Sequence, residues 1–322
     1  VAATEVKFCL KPFEHMEIVP NGNVHLCCPQ WMPTPAGHVD DEDAWNGEGA
    51  NEIRNSIIDG SFRFCTGCPW LADATGPVHV LKKTIKLPVM LPRIPVLNLA
   101  YDKTCNLACP SCRTEHIVAS DIERRHLARV QTRVIELLPR VDQLYVTGSG
   151  DPFASATYRE LLRSIDPAKY PRLAVKLHTN GLLFTKENWQ ALGPIRERVR
   201  EVEVSVDAAC AETYAVNRRG DWTTLCANLA FIAGLRPVLR LQLSFVVQQN
   251  NWTEMHAFLL LASIVNATHV YFMGINDWKT FSPEEYRQRA VHLPGHPDHN
   301  AFKAMLRDPM FHQAGVSLGN LV

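Results

Sequence analysis

The 322 residues carry 33 Lys+Arg and 33 Asp+Glu, a formal net charge of zero, so no basic footprint points to a nucleic-acid partner. With 46% hydrophobic residues the chain can bury the core of one large α/β domain and a smaller companion. The longest apolar stretch, 257–265, is too short to cross a bilayer and residues 1–15 lack a signal-peptide core, so the expectation is a cytoplasmic protein with no membrane partner.

Ten cysteines without an export signal read as metal ligands before disulfides. Five fall in the first 68 residues and three between 105 and 112, while Cys210 and Cys226 stand apart. That distribution suggests two separate metal sites and some spare thiols.

Residues 1–92 are rich in Pro, Gly and Asn, as expected of a small unit held together by metal. Residues 13–24 predict a strand pair around the Asn21-Gly22 turn, and Cys9, Cys27, Cys28, Cys65 and Cys68 are its thiols. The stretch 86–95 carries Pro88, Pro92 and Pro95, which disfavour helix and central strand, and reads as a linker. Strands are then predicted at 96–100, 143–147, 173–179, 202–206, 238–247 and 269–273. Between them, Leu127, Val130, Val134 and Leu137 recur at helical spacing, as do Trp252, Met255, Phe258, Leu259 and Ala262. Six successive βα units over 93–275 imply a parallel sheet, as a barrel or a doubly wound sheet.

Three of these strands alternate apolar and polar residues. Val202, Val204 and Val206 oppose Glu203, Ser205 and Asp207; Lys176, His178 and Asn180 oppose Val175 and Leu177; Arg240, Gln242 and Ser244 oppose Leu239, Leu241 and Leu243. A filled barrel or a doubly covered sheet would be apolar on both faces, so a lumen lined for ligands is expected. The segment 276–322 predicts helices at 283–291 and 300–306 and reads as a cap. Within it His292, His296 and His299 are broken up by Pro294, Gly295 and Pro297, which favours a surface loop over a metal site.

Directly after the first barrel strand comes Cys105-Asn-Leu-Ala-Cys109-Pro-Ser-Cys112. This supplies three thiolates, one short of the four that normally hold an iron–sulfur cube. The run resembles the signature of the radical S-adenosylmethionine (SAM) enzymes. That resemblance implies a partial (β/α)6 TIM barrel and a [4Fe–4S] cluster on Cys105, Cys109 and Cys112. Its open iron is chelated by the amino and carboxylate groups of SAM, which is cleaved to a 5′-deoxyadenosyl radical that takes a hydrogen atom from substrate. A structural zinc site or three unrelated core cysteines is the plainer alternative.

The likeness extends to the strand ends. Ser149-Gly150-Asp151 resembles the family's Gly-Gly-Glu, which holds the SAM amino group, and Asn180 resembles its Thr-Asn-Gly. Ser205 and Asp207 fall where the family reaches the ribose and methionyl groups, and Arg218 or Arg219 where an arginine meets the SAM carboxylate. Phe272 and Met273 are candidates for the adenine wall. Many relatives have an aromatic residue before the third cysteine; here it is Ser111.

The N-terminal segment resembles the SPASM-type auxiliary-cluster domain, over 13–24, Gly37-His38, Ala44-Trp45-Asn46 and 54–68. In that family the domain usually follows the barrel, whereas here it precedes it. The resemblance implies a second [4Fe–4S] cluster on Cys9, Cys27, Cys65 and Cys68, although four thiolates also suit zinc. Cys27 is favoured over Cys28 by its spacing from Gly22. Cys28 and Cys210 are candidate hydrogen-atom donors or plain buried thiols, and Cys226 a core residue.

The implied function is radical modification of a peptide or protein, by crosslinking, epimerisation or oxidation. Dehydrogenation or epimerisation of a small polar metabolite is second, and a non-catalytic iron–sulfur or zinc protein is the alternative of another class. No leader-peptide-binding module is recognised, which weakens the ribosomal-peptide option. Tyr145, His178, Gln242 and Tyr271 are candidate substrate contacts, and flavodoxin or ferredoxin the expected reducing partner.

Overall fold

The computed structural model describes residues 8–68, 71, 90–235 and 239–321, so part of the predicted linker and Val238 lie outside the described residues. By its internal contacts the chain divides into two units. The first comprises 1–103, 119–150 and 164–175; the second comprises 104–118, 151–163 and 176–322.

In the first unit a short helix, α1 (Lys11–Glu14), leads into strand β1 (His15–Ile18). β1 pairs antiparallel with β2 (Asn23–His25), which pairs with β3 (Gly37–His38). Gly22 makes this turn with φ +82°, a left-handed conformation that side-chain-bearing residues rarely adopt. α2 (Glu48–Ile58) packs Ile53 and Ile57 inward. It also buries Arg54 completely, with its guanidinium 4.4 Å over the Trp45 ring and Nη1 donating to Trp45 O at 2.7 Å. Burial pushes Arg54 down to about 10.

β4 (Ile94–Leu99) begins inside the predicted linker. Pro95 is tolerated because it sits at the strand's start and both neighbouring ladders skip it. β5 (Val141–Val146) pairs parallel with β4 from Ile94↔Val141 to Leu99↔Val146. On the other side β1 itself runs parallel to β4, from His15↔Val96 to Ile18↔Leu99. The cysteine-rich segment therefore contributes a strand to the same sheet, an arrangement the sequence reading did not contain. α3 (Asp121–Leu137) starts at a capping box of Ser120 and Glu123 and buries Leu127, Val130 and Val134, as their spacing predicts. Its outer face ties back to the N-terminal segment through Arg133 Nε and Asp40 Oδ1, 3.3 Å apart.

The second unit holds α4 (Ala156–Ser164), most of β6 (Ala174–Thr179), α5 (Lys186–Ala191), β7 (Val199–Ser205), α6 (Ala211–Arg218) and α7 (Trp222–Ala233). It continues with β8 (Arg240–Val247), α8 (Met255–Ile264) and β9 (His269–Gly274). β7, β8 and β9 are parallel neighbours, with Glu203↔Gln242, Ser205↔Ser244 and Ser244↔Tyr271 in register. The predicted parallel (β/α)6 order is thus present, in a mixed α/β fold. The tail forms α9 (Pro283–Arg289), α10 (His299–Met305) and an unpredicted two-residue strand, β10 (Val316–Ser317), parallel to β9.

The apolar face of β8 and β9 carries an aromatic cluster. Phe245, Phe258 and Phe311 surround Phe272 with ring centroids 5.6–5.9 Å away, and all four rings are buried. Each ring contributes about 2 kcal/mol through burial alone. The opposite face keeps the polar residues.

Candidate active site and cysteine-lined cavity

The three-cysteine loop lies in the second unit. Cys105 and Cys109 are buried and Cys112 is exposed. A turn in which the Cys112 and Arg113 N–H groups donate to Cys109 O, at 2.9 and 3.0 Å, brings the third thiol round. Burial pushes the Cys105 and Cys109 thiols up, and the Arg218 charge opposes this at both. Arg113 Nη2 stands 3.5 Å from Cys112 Sγ. The Arg113 and Arg218 charges both favour the thiolate at Cys105, against its burial.

Asn180 links this loop to the end of β6. Its Nδ2 donates to Asn106 Oδ1 at 2.8 Å and lies 3.7 Å from Cys105 Sγ. Asp151 is fully buried with both oxygens engaged. Oδ1 accepts from the Phe153 and Ala154 N–H groups, and Oδ2 from Thr179 Oγ1 and the Asn180 N–H, at 2.7–3.2 Å. It braces the loops that follow β5 and β6. Ser149 and Gly150 belong to the first unit's turn, where the Ser149 N–H donates to Thr147 Oγ1 at 3.1 Å and Gly150 has φ +79°. Gly148 lies so close to Asn98 that a Cβ would stand 2.6 Å from its amide nitrogen.

Asp207 and Arg218 form a buried ion pair, Oδ2 to Nη1 at 3.0 Å, and Asp207 Oδ1 also accepts from the Val246 N–H at 2.7 Å. Asp207 has φ +60° and its carbonyl oxygen accepts from Asn217 and Asn251 side chains. Burial disfavours the Arg218 charge, but Cys109 and Asp207 outweigh it and hold this guanidinium above its ordinary value. Arg218 Nε is buried without a partner. Arg219 is the left-handed C-cap of α6 and lines a cavity of about 320 Å³ with Ser111, Asn217, Gln248, Phe281 and Arg289. There Arg289 stacks 4.3 Å over Phe281.

The polar strand faces form one network. Lys176 Nζ stands 2.6 Å from Glu201 and 2.9 Å from Glu203, Ser244 Oγ donates to Glu203 at 2.9 Å, and His178 Nε2 lies 2.8 Å from Ser205 Oγ. Burial acts against the Glu203 carboxylate, yet His178 and Lys176 hold it at about 2. Burial lowers His178 and raises the Tyr271 phenol. Gln242 is half-buried opposite Glu203 in the ladder, and Met273 shares the Tyr271 face. Phe272 does not: it points into the aromatic cluster, because adjacent strand residues alternate between faces, and it is no candidate for an adenine wall. In the first unit Tyr145 pairs in register with Asn98. Asn98 donates to Glu17 at 3.0 Å.

Cys210 opens α6 with Sγ 3.7 Å from Glu254 Oε1 and 3.5 Å from Thr213 Oγ1. Cys226 is half-buried on α7. The tail histidines hold backbone: His296 Nε2 meets Gln288 O and His299 Nδ1 meets Val291 O.

All five N-terminal cysteines, Cys9, Cys27, Cys28, Cys65 and Cys68, line one cavity of about 250 Å³ in the first unit. Its other walls include Trp31, Met32 and Phe62. Burial pushes Cys27 up to about 12 and Cys65 up to about 11. Among the described residues no three His, Cys, Asp or Glu side chains stand at metal-binding separation. The fit to iron–sulfur cubes rests on the donors: five thiols around one cavity, and three on one loop.

The sequence reading missed Lys176 and Glu201 as site residues, as well as Asn106, Arg113, Phe281 and Arg289. Alternation on β6 marked Lys176 as a polar-face position, whereas Glu201 lay just ahead of the predicted strand 202–206. Phe281 and Arg289 lie in the tail, where nothing in the pattern indicates a cavity.

Residues 9–69 match the SPASM family, described as an iron–sulfur cluster-binding domain. Among solved structures it is similar to Streptococcus suis SuiB bound to precursor peptide SuiA. That match is 10% identical over 84% of this chain and 61% of that chain, with a TM-score of 0.49. SuiB bound to S-adenosylmethionine is 10% identical over 67% and 45% of the two chains, with a TM-score of 0.45. Native anSMEcpe with bound AdoMet is 15% identical over 67% and 61%, with a TM-score of 0.42. The chain spans 45–61% of the length of these SuiB chains. No curated protein matches it. No helix among the described residues is long and apolar enough to cross a membrane.

Proposed function

We propose that the chain is a radical SAM enzyme that cleaves SAM reductively and takes a hydrogen atom from a peptide or protein. The carrying observation is the loop presenting Cys105, Cys109 and Cys112, with Asn180 3.7 Å from Cys105 Sγ and the Arg218 carbonyl oxygen 3.6 Å from Cys109 Sγ. Cys105, Cys109 and Cys112 would hold a cube with one iron left for the amino and carboxylate groups of SAM, and that group would supply the electron for reductive cleavage of the sulfonium to methionine and a 5′-deoxyadenosyl radical.

The chain's own residues prepare that site. Arg218 offsets the charge of the thiolates and is the arginine suited to a carboxylate, because Asp207 fixes its orientation and its Nε is unspent. Asn180 and Asp151 hold the loop at the end of β6. Met273 and Tyr271 face the polar side of the sheet, where His178 and Gln242 are candidate substrate contacts. Cys9, Cys27, Cys65 and Cys68 would hold the auxiliary cluster, leaving Cys28, like Cys210, as a candidate hydrogen-atom donor.

The SPASM segment favours a peptide or protein substrate, as the family resemblance implies. A small polar metabolite is the second reading, favoured by the Lys176–Glu203–Ser244 network. A flavodoxin or ferredoxin is the proposed electron source, in a reducing cytoplasm. The test is anaerobic reconstitution, strong reductant and chromatography for 5′-deoxyadenosine. Release of the nucleoside supports the enzyme; none, from protein loaded with a cube at the middle triad, leaves the non-catalytic alternative.

A further inference from the structure

The cavity lined by the five N-terminal cysteines is otherwise walled by Pro12, Trp31, Met32, Phe62 and Leu71, and Lys11 is the single charged residue among the described ones that line it. We propose that Lys11 raises the reduction potential of the iron–sulfur cube this cavity takes. The inference rests on the two-cluster reading above and adds a residue that tunes the second cluster.

Four thiolates make such a cube an anion, and reduction adds one more negative charge. Low-dielectric walls of aromatic and aliphatic side chains disfavour that charge and hold the potential down. A fixed cation at the wall acts in the opposite sense, and net charge is one of the levers by which proteins set cluster potentials. Lys11 opens α1 two residues after Cys9, lines the cavity and is exposed.

The experiment uses the full chain carrying C105A, C109A and C112A, so that only the N-terminal cluster reports. Iron content and an EPR-monitored redox titration are measured for this parent and for its K11R, K11Q and K11E forms. The expected result is one cube per chain throughout, with a midpoint that is unchanged in K11R, lower in K11Q and lowest in K11E. Higher salt should narrow the spread. Equal midpoints in all four proteins with intact cubes would overturn the proposal. So would loss of the cube from K11Q but not K11R, which makes Lys11 a structural support. A parent that binds no iron rejects the two-cluster reading itself, a failure recognisable from iron content before any titration.

Discussion

Arg218 and Asp207 meet at 3.0 Å with side chains 12% and 1% exposed, so neither charge has water to fall back on. Asp207 is held in turn by the Val246 N–H, and Arg218 lies against the cysteine loop. Truncating one partner strands the other. Arg218→Ala is expected to cost about 3–5 kcal/mol in urea denaturation. Arg219→Ala is expected to cost under about 0.5 kcal/mol. Equal losses would remove the distinction between the two arginines.

Asp151 offers a second contrast. Asp151→Asn replaces one carboxylate oxygen with an N–H₂ facing donors, and the expected loss is about 1–3 kcal/mol with looser packing of the Asn180 loop. Calorimetry checks the first, and hydrogen exchange at Asn180 the second. An unchanged melting profile would show that the four bonds are dispensable.

Acid stability should depend on Glu203. Its folded-state value is about 2 against an ordinary 4.5, so its contribution is complete above pH 4.5 and is lost as pH falls toward 2. The displacement corresponds to roughly 3 kcal/mol. Glu203→Gln should flatten the acid limb between those values and leave its shape near neutrality unaltered. A limb of identical slope in the variant would place the acid sensitivity elsewhere.

Iron counting separates the thiols. Wild-type protein should bind about eight irons, as two cubes. Serine at Cys9, Cys27, Cys65 or Cys68 should remove about half, as should serine at Cys105, Cys109 or Cys112. Cys28→Ser should keep the full complement. Iron loss in Cys28→Ser with retention in Cys27→Ser would reverse the ligand assignment.

Phe272→Ala should cost about 3–5 kcal/mol by opening a cavity in the aromatic cluster. It should leave SAM affinity, measured by calorimetric titration of the loaded protein, unchanged. A large loss of affinity at equal stability would return Phe272 to the adenine wall.

Much of this was legible because periodicity reports burial. Alternation on β6, β7 and β8 marked the polar face correctly, and Leu127, Val130 and Val134 marked α3. Motif spacing located the cysteine loop and the end of β6. What escaped depends on contacts between distant segments. Nothing in His15–Ile18 specifies that it will lie beside Ile94–Leu99, since parallel pairing is decided by packing across some eighty residues. Asp151 reads as a ligand in one dimension and becomes a brace only when Thr179 folds against it. Phe272 and Met273 are neighbours in the chain but face opposite sides of the strand, so a pair chosen together had to be divided.

The parallel pairing of β1 with β4 means that the iron-binding portion is not a detachable module. Cutting the chain ahead of residue 90 would bare a row of unpaired amides and carbonyls along Ile94–Leu99, a largely apolar stretch. An exposed border of that kind recruits other chains. The cysteine-rich segment therefore also guards the remainder against self-association.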